Sequence, residues 1–301
     1  MFGTLLDKPT LRSLDARLEK LQVAAGKIEC LSQRLAGDTA SFESAEFSVF
    51  SQFGEDGLIQ FLLSRVPVAA HVFVEIGVGD YIESNTRFLL LKDYWSGLVI
   101  DNSKAHIQSI RRSEIFWRRD LRACCAWVTP EDVNRLLTEH GIAGPIGLLS
   151  IDIDGNDYWV WKAIDVVAPT IVVVEYNAIF GPAHRVTIPY QQDFARSRAH
   201  YSNLYYGASI AALADLGERK GYLLAGANRA GNNLFFVKKD AAAQIHPRIA
   251  RGAYRPAGFR ESRDRRGRLS FLTAEEGIRL IGHLPVVDLE RGGEVPIHQL
   301  R

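Results

Sequence analysis

"VFVEIGVGDYIESNT", residues 72–86, is a short apolar run that ends in a glycine turn with an acid just ahead of it. Such a run, bounded by a turn signal, predicts a strand buried on both faces, as in a parallel sheet. In an open parallel sheet, ligands sit beyond the carboxyl ends of the strands, at the crevice where strand order reverses. The turn therefore marks a candidate site. A dinucleotide fingerprint would read G-x-G-x-x-G, but Gly77 and Gly79 are followed by Ile82, so the third glycine is missing.

Working outward, strands are expected at 71–76, 97–101, 121–127, 146–152, 170–176, 222–226 and 233–238. Helical periodicity falls between the first five, around 85–93, 103–112, 130–140 and 156–165, and again at 207–220. Repeated strand and helix units predict an α/β, doubly wound, mostly parallel sheet. The last two strands are separated by "AGANRAGN", too short for a crossover helix, so they predict an antiparallel hairpin. Seven strands with the last one antiparallel resemble the Rossmann-like class I methyltransferase sheet more than a dinucleotide dehydrogenase, which would continue with parallel units.

The chain has 301 residues, 47% hydrophobic and 24% charged, enough for one substantial core. Its formal charge of +1 gives no global field to attract nucleic acid. Cys30, Cys124 and Cys125 show no CxxC spacing, which fits a reducing cytoplasm rather than a disulfide framework or zinc knuckle. The opening "MFGTLLDKPT" lacks the pattern of a secretory leader, and no stretch approaches the roughly 20 apolar residues that span a bilayer. A cytoplasmic chain with no membrane span is the expectation.

Glu75, aimed at the ligand, would repel a pyrophosphate but suits a ligand carrying an ammonium and a sulfonium. S-adenosylmethionine has both. Gly79 would let the backbone lie close against it. Asp101, 24 residues beyond Gly77 at the tip of the second strand, could accept hydrogen bonds from the ribose hydroxyls of this cofactor or of NAD.

The blocks "SQFGEDGLIQFLL" (51–63), "VFVEIGVGDYIESNT" (72–86), "GLVIDNS" (97–103), "SIDIDGNDYWVWKAI" (150–164), "IVVVEYNAIFG" (171–181) and "YYGASIAAL" (205–213) resemble the FkbM-like family of S-adenosylmethionine-dependent methyltransferases. The resemblance covers residues 46–238 and implies methyl transfer to oxygen, in polysaccharide or natural-product assembly, with a sugar or glycan precursor as substrate. It implies that Glu75, Gly77, Gly79, Ser84 and Asn85 line the methionine end of the cofactor, that Asp101 holds the ribose, and that Asn102 reaches the adenine. It further implies that Gln52, Glu55 and Asp56 close over the cofactor; the alternative is that this block only caps a helix beginning near Glu55, with Ser51 as the cap. Where the family has K-I-D-x-E-G-x-E at the fourth strand, this chain has Ser150, Asp154 and Asp157 at the Lys and two Glu positions. That departure leaves the acceptor open.

"SIDIDGND" brings Asp152, Asp154 and Asp157 to the same rim as Glu75, and "VVEYN" brings Glu175 and Asn177. Carboxylates this close repel unless a cation or a shared proton compensates. The spacing excludes a calcium loop, whose glycine and final Glu would fall elsewhere. Three readings stand: a magnesium site of Asp154, Glu175 and Asn177 binding acceptor hydroxyls; a D-x-D of Asp152 and Asp154 in a metal-dependent sugar-nucleotide glycosyltransferase; or carboxylates bonded only to backbone, substrate and water. Asp152, Asp154 and His184 are the candidate bases for a sugar hydroxyl. His184 lies in "FGPAHRVTIPYQQDF", long enough for an acceptor lid. Tyr158 and Trp161 share a helical face, which favours core packing over sugar stacking. A cofactor-binding protein without turnover is a third functional reading.

Three regions are expected: a helix in 1–45, a methyltransferase domain at 46–240 and an arginine-rich extension at 241–301. Residues 10–36 carry Leu11, Leu14, Leu18, Leu21, Ala25, Ile28 and Leu35 at spacings of three and four, with Ser32 in the seam. This stripe either makes a homo-oligomer or packs on its own domain. The arginines at 248, 251, 255, 260, 263, 265, 266 and 268 are either solvated or form a site for a phosphorylated ligand. A short helix at 273–282 and an extended "HLPVVDL" complete the chain.

Overall fold

The computed structural model describes residues 8–259 and 261–300, with the side chains of 8–13 and 38 also outside the description. Leu11's side chain and Arg260, both singled out from the sequence, lie outside the described residues. The strands are β1 (Val72–Ile76), β2 (Ser96–Asp101), β3 (Leu121–Cys125), β4 (Gly144–Ile151), β5 (Val167–Glu175), β6 (Val186–Thr187), β7 (Tyr222–Ala227), β8 (Asn233–Lys238), β9 (Pro285–Asp288) and β10 (Glu294–Pro296). The helices are α1 (Lys8–Ala36), α2 (Glu55–Leu63), α3 (Arg87–Lys92), α4 (Lys104–Arg112), α5 (Glu114–Arg118), α6 (Val133–Glu139), α7 (Asp157–Ala163), α8 (Arg196–Ala199), α9 (Ile210–Arg219), α10 (Ala250–Ala253) and α11 (Ala274–Ile281).

Seven strands form the main sheet in the order β3-β2-β1-β4-β5-β8-β7. The first five run parallel, whereas β8 is antiparallel to both β5 and β7. This is the doubly wound, Rossmann-like arrangement with one antiparallel strand. The central strands are mostly apolar because each face is covered, with Glu75, Ser150 and Glu175 at or near their carboxyl ends as exceptions. Val74, Ile76, Leu98, Ile100, Leu149 and Ile151 pack under α6, α7 and α9. Phe73, Val99, Leu148 and Ile171 point the other way, into a second core that includes α2 and α4.

The register sets the site. Ile76 pairs with both Ile100 and Ile151, and Ile151 with Val174. One residue further on, Gly77, Asp101, Asp152 and Glu175 leave the sheet in a single row, where strand order reverses between β1 and β4. Gly77 sits at φ +85°, and a Cβ there would lie 1.5 Å from the Asp152 carbonyl oxygen. Close packing of β1 against β4 thus requires glycine.

The extension folds back onto the domain. β9 pairs with β6 and with β10 in a three-stranded sheet, over a small core of Phe180, Val186, Phe194, Tyr206, Ile281 and Val286. Its arginines make ion pairs: Arg248 reaches back to Glu43 at 2.8 Å, and Arg268 meets Asp264 locally at 2.8 Å. No helix among the described residues is long and apolar enough to cross a membrane. Cys30 and Cys124 are buried, Cys125 is exposed, and all three are free thiols.

α1 docks through a face other than its leucine stripe. Val23, Gly26, Cys30 and Gln33 face the domain, and a Cβ at Gly26 would come within 2.5 Å of Val49 Cγ2 and 2.6 Å of Phe88 Cζ. Leu14, Leu18, Leu21, Ile28 and Leu35 are exposed.

Because both left-handed backbone and a carbonyl clash oppose any side chain at position 77, Gly77→Ala is expected to lower the unfolding free energy by at least about 2 kcal/mol. Urea unfolding of the purified variant measures it; an unchanged midpoint would contradict the close β1–β4 approach.

Candidate functional site

At the glycine turn the backbone binds to its neighbour strand: Gly77 N–H donates to the Ile100 carbonyl at 2.8 Å. Asp101 accepts from Gly79 N–H at 2.8 Å through Oδ2, and from Ser103 N–H at 2.7 Å through Oδ1, which also lies 3.1 Å from His106 Nδ1. The acid at the tip of β2 thus shapes the turn. Gly79, at φ +59°, has nothing within 4 Å of where a Cβ would stand. The open side of the turn is therefore unobstructed.

Glu75 is 5% exposed, and burial is the main cause that raises its carboxyl above the usual range. The carboxylate gathers the loop after the turn. Its Oε2 accepts from Ser84 Oγ (2.7 Å), Thr86 N–H (3.1 Å) and the Thr86 hydroxyl, and Oε1 accepts from Asn85 N–H (2.9 Å). Asn85 Nδ2 reaches Ser150 Oγ on β4 at 3.1 Å. Glu75, Ser84 and Asn85 are brought together as the sequence predicts, but the protein itself uses most of the carboxylate. Oε1, with one donor, is the less occupied oxygen.

The upstream block is structural in the described geometry. Asp56 Oδ2 accepts the N–H groups of Val49, Phe50 and Ser51, each at 2.7 Å, and Ser51 Oγ accepts Asp56 N–H at 2.9 Å. Glu55 Oε1 accepts from Asn228 Nδ2 (2.7 Å) and Asn233 Nδ2 (2.9 Å), which ties the start of α2 to the β7–β8 hairpin. Gln52 and Asn102 are exposed.

At the ends of β4 and β5, Asp152, Asp154 and Glu175 offer carboxylate oxygens that all lie within 4.8 Å of one another. Burial, then the charges of Asp154 and Asp157, push Asp152 well above the usual carboxylate range; burial, then Asp152, does the same to Glu175. The two acids repel, so each makes it harder for the other to ionise. Glu175 Oε2 is buried without a hydrogen-bond partner. Asp154 holds a left-handed backbone at φ +55°, uncommon for a residue with a side chain. Arg196 on α8 donates to Asp154 Oδ1 at 2.7 Å, pairs with Glu261 at 2.8 Å, and lies 3.8 Å above the Tyr206 ring. Burial, then Glu175, pushes the Tyr206 hydroxyl up.

Two of the expected site residues are placed differently. Asn177 caps a short turn: Oδ1 accepts Ile179 N–H at 3.1 Å, and Nδ2 donates to the Leu204 and Tyr206 carbonyls at 2.9 and 3.0 Å. Asp152 joins Asp154 and Glu175 in the acidic group. His184 is half-buried in a separate recess with Arg185, Asp288, Glu290 and Arg291. Asp157 accepts Ile153 N–H at 2.8 Å and Gly155 N–H at 2.9 Å, closing the turn before α7. Tyr158 and Trp161 are fully buried in the core. Arg196 and Tyr206 were not singled out from sequence; "YYGAS" holds Tyr206, but nothing local marks Arg196.

A cavity of about 410 Å³ lies away from this rim. It sits between α1, α2 and the amino edge of the sheet, lined by Cys30, Gln60, His71, Lys92, Asp93 and Trp95 among others.

No protein-family model and no curated protein matches the chain. Among solved structures it is similar to the N-terminal domain of EvdMO1 with SAH bound, at 10% identity over 79% of this chain and 99% of that one, with a TM-score of 0.42. The same domain with SAH and D-fucose matches at 9% identity over 61% and 82%, TM-score 0.40. Geranyl diphosphate C-methyltransferase from Streptomyces coelicolor A3(2), in complex with Mg2+, geranyl diphosphate and S-adenosyl-L-homocysteine, matches at 12% identity over 57% and 61%, TM-score 0.35. Likeness at this level does not bear on the chain's activity.

Asp56 gives a pH signature. Burial pushes its carboxyl from 3.8 up to about 6, so the folded state holds the proton more tightly than the unfolded one. That contribution is full below the unfolded value and is lost as pH rises through the folded one. Relative to Asp56→Asn, the wild-type unfolding free energy should fall by up to about 3 kcal/mol between roughly pH 4 and pH 7. Denaturant titrations across that range read the sign; a rise instead of a fall would overturn this assignment.

Proposed function

We propose that the chain is a class I methyltransferase that moves a methyl group from S-adenosylmethionine to an oxygen, on a sugar hydroxyl of a glycan or natural-product precursor. The observation that carries this reading is the single row at the sheet reversal. An unobstructed glycine turn and Asp101 stand on one side of it, and three converging carboxylates on the other.

The residues fit both groups. Gly77, Gly79, Ser84, Asn85 and the less occupied Glu75 Oε1 would hold the methionine end of the cofactor, and Asp101 its ribose, with Gln52 and Asn102 exposed alongside. Asp152, Asp154 and Glu175 are hard oxygen donors that suit magnesium rather than zinc. The unpartnered Glu175 Oε2 is the kind of buried atom a cation would satisfy. S-adenosylmethionine supplies an electrophilic methyl group, so the protein's own task is to align an acceptor oxygen and receive its proton. Asp152, half-buried beside Glu175 at the end of β4, is the proposed acceptor of that proton. Arg196 fixes Asp154 from the other side and stacks on Tyr206, which keeps the carboxylates converged.

Calorimetry with S-adenosylhomocysteine and magnesium tests the reading. Gly79→Ala, which fills the open side of the turn, should weaken S-adenosylhomocysteine binding at least about tenfold while magnesium binding stays. Glu175→Gln and Asp154→Asn should abolish magnesium binding, keep S-adenosylhomocysteine binding, and cut methyl transfer to sugar acceptors by about 100-fold or more. Tight binding of a nucleoside diphosphate sugar with none of S-adenosylhomocysteine would overturn the proposal in favour of glycosyl transfer.

A further inference from the structure

The row of residues that leaves the sheet at its reversal has a further member. β5 and β8 run antiparallel with Glu175 opposite Asn233, the first residue of β8. Side chains directly opposite each other in an antiparallel pair project from the same face. Tyr176 N–H donates to the Asn232 carbonyl at 2.7 Å. The rung before it, Glu175 with Asn233, is therefore a non-hydrogen-bonded one, in which the two side chains stand closest. Asp152, one residue past the Ile151–Val174 pair, flanks Glu175 from β4, and Asn233 flanks it from β8.

Both members of this rung are buried, and each has an oxygen without a partner. Asn233 is 4% exposed and Glu175 5%, and among the described residues neither Asn233 Oδ1 nor Glu175 Oε2 accepts a hydrogen bond. Turning the Asn233 amide over would not relieve this. Its Nδ2 donates to Glu55 Oε1 at 2.9 Å, and the opposite orientation would set oxygen against oxygen. Glu55 is itself buried and also accepts from Asn228 Nδ2 at 2.7 Å and Phe53 N–H at 2.8 Å, so it fixes which atom Asn233 presents elsewhere. Two adjacent buried acceptors call for a donor or a cation. Asp152, Asp154 and Glu175 gather three acids against the one guanidinium of Arg196, which Glu261 shares. A cation answers both the charge and the open oxygens, whereas a neutral donor answers only the second. Resting on the magnesium site proposed above, we propose that Asn233 Oδ1 is a further ligand of that cation, supplied from β8 beside Asp152, Asp154 and Glu175. A neutral amide oxygen adds a ligand without adding to the crowded negative charge.

Calorimetry of the full chain with magnesium chloride provides the test, with the thermal midpoint and S-adenosylhomocysteine binding measured beside it to follow the fold of each variant. Asn233→Ala, which removes the oxygen, should weaken magnesium binding at least about tenfold. Asn233→Asp keeps an oxygen and adds a charge, so it should bind magnesium at least as tightly as the wild type. A part only in anchoring Glu55 would reverse that order, because aspartate sets acid against acid there and disturbs Glu55 more than alanine does. Equal magnesium binding by the wild type and Asn233→Ala, as when water alone meets the two oxygens, overturns the assignment of Asn233 and leaves the three carboxylates as the site. Binding by Asn233→Asp as weak as by Asn233→Ala also overturns it. A wild type that binds no magnesium overturns it together with the cation site itself, while S-adenosylhomocysteine binding reports separately on the methyltransferase reading.

Discussion

The close approach of β1 to β4 is the constraint on which the site depends. Asp152 N–H donates to the Ile76 carbonyl at 3.0 Å, and the Asp152 carbonyl fills the space a side chain at Gly77 would need. Through that contact the glycine turn and the acidic group become one surface. Gly77, Asp101, Asp152 and Glu175 stand side by side because the four strands share a register, and a slip of one residue would send each to the opposite face of the sheet. The turn's conformation, the placement of Asp101 against Gly79 and the crowding of carboxylates beyond β4 all follow from it.

Crowding like charges at a sheet edge destabilises unless something offsets it, and the surroundings divide the work. Asp157 is satisfied by backbone N–H groups, Asp154 by Arg196, and Glu75 by the loop it gathers. Asp152 and Glu175 are left with each other, and their carboxyls rise together. That unrelieved pair lies where strand order reverses, next to the open glycine turn.

The sheet was legible in the sequence because parallel strands covered on both faces must be mostly apolar, as "VFVEI" and "IVVVE" are apart from one acid each, and because a crossover helix cannot fit between the last two strands. Residues that act at long range were not. Asp154 and Arg196 are 42 positions apart, and only the fold brings them together. Glu75 shows how a correct placement can hide a partner: an acid at a strand end is visible in sequence, but not that residues 84–86 fold back over it. Asn177, read as a cation ligand from its place after β5, also caps a short turn locally, a use of Asn that its sequence position does not separate from ligation. The leucine stripe was legible as a stripe, while its orientation depended on Gly26, whose missing side chain lets the opposite face dock.

The extension has a part in the acidic group that its position at the end of the chain does not suggest. Glu261 shares Arg196 with Asp154, and β9 holds β6 in the segment that leads to α8. A protease cut near residue 240 would thus do more than shorten the protein. It would unzip β6 from its neighbour, free the guanidinium from one of its two carboxylates, and loosen the wall beside Asp152 while leaving the seven-stranded sheet whole.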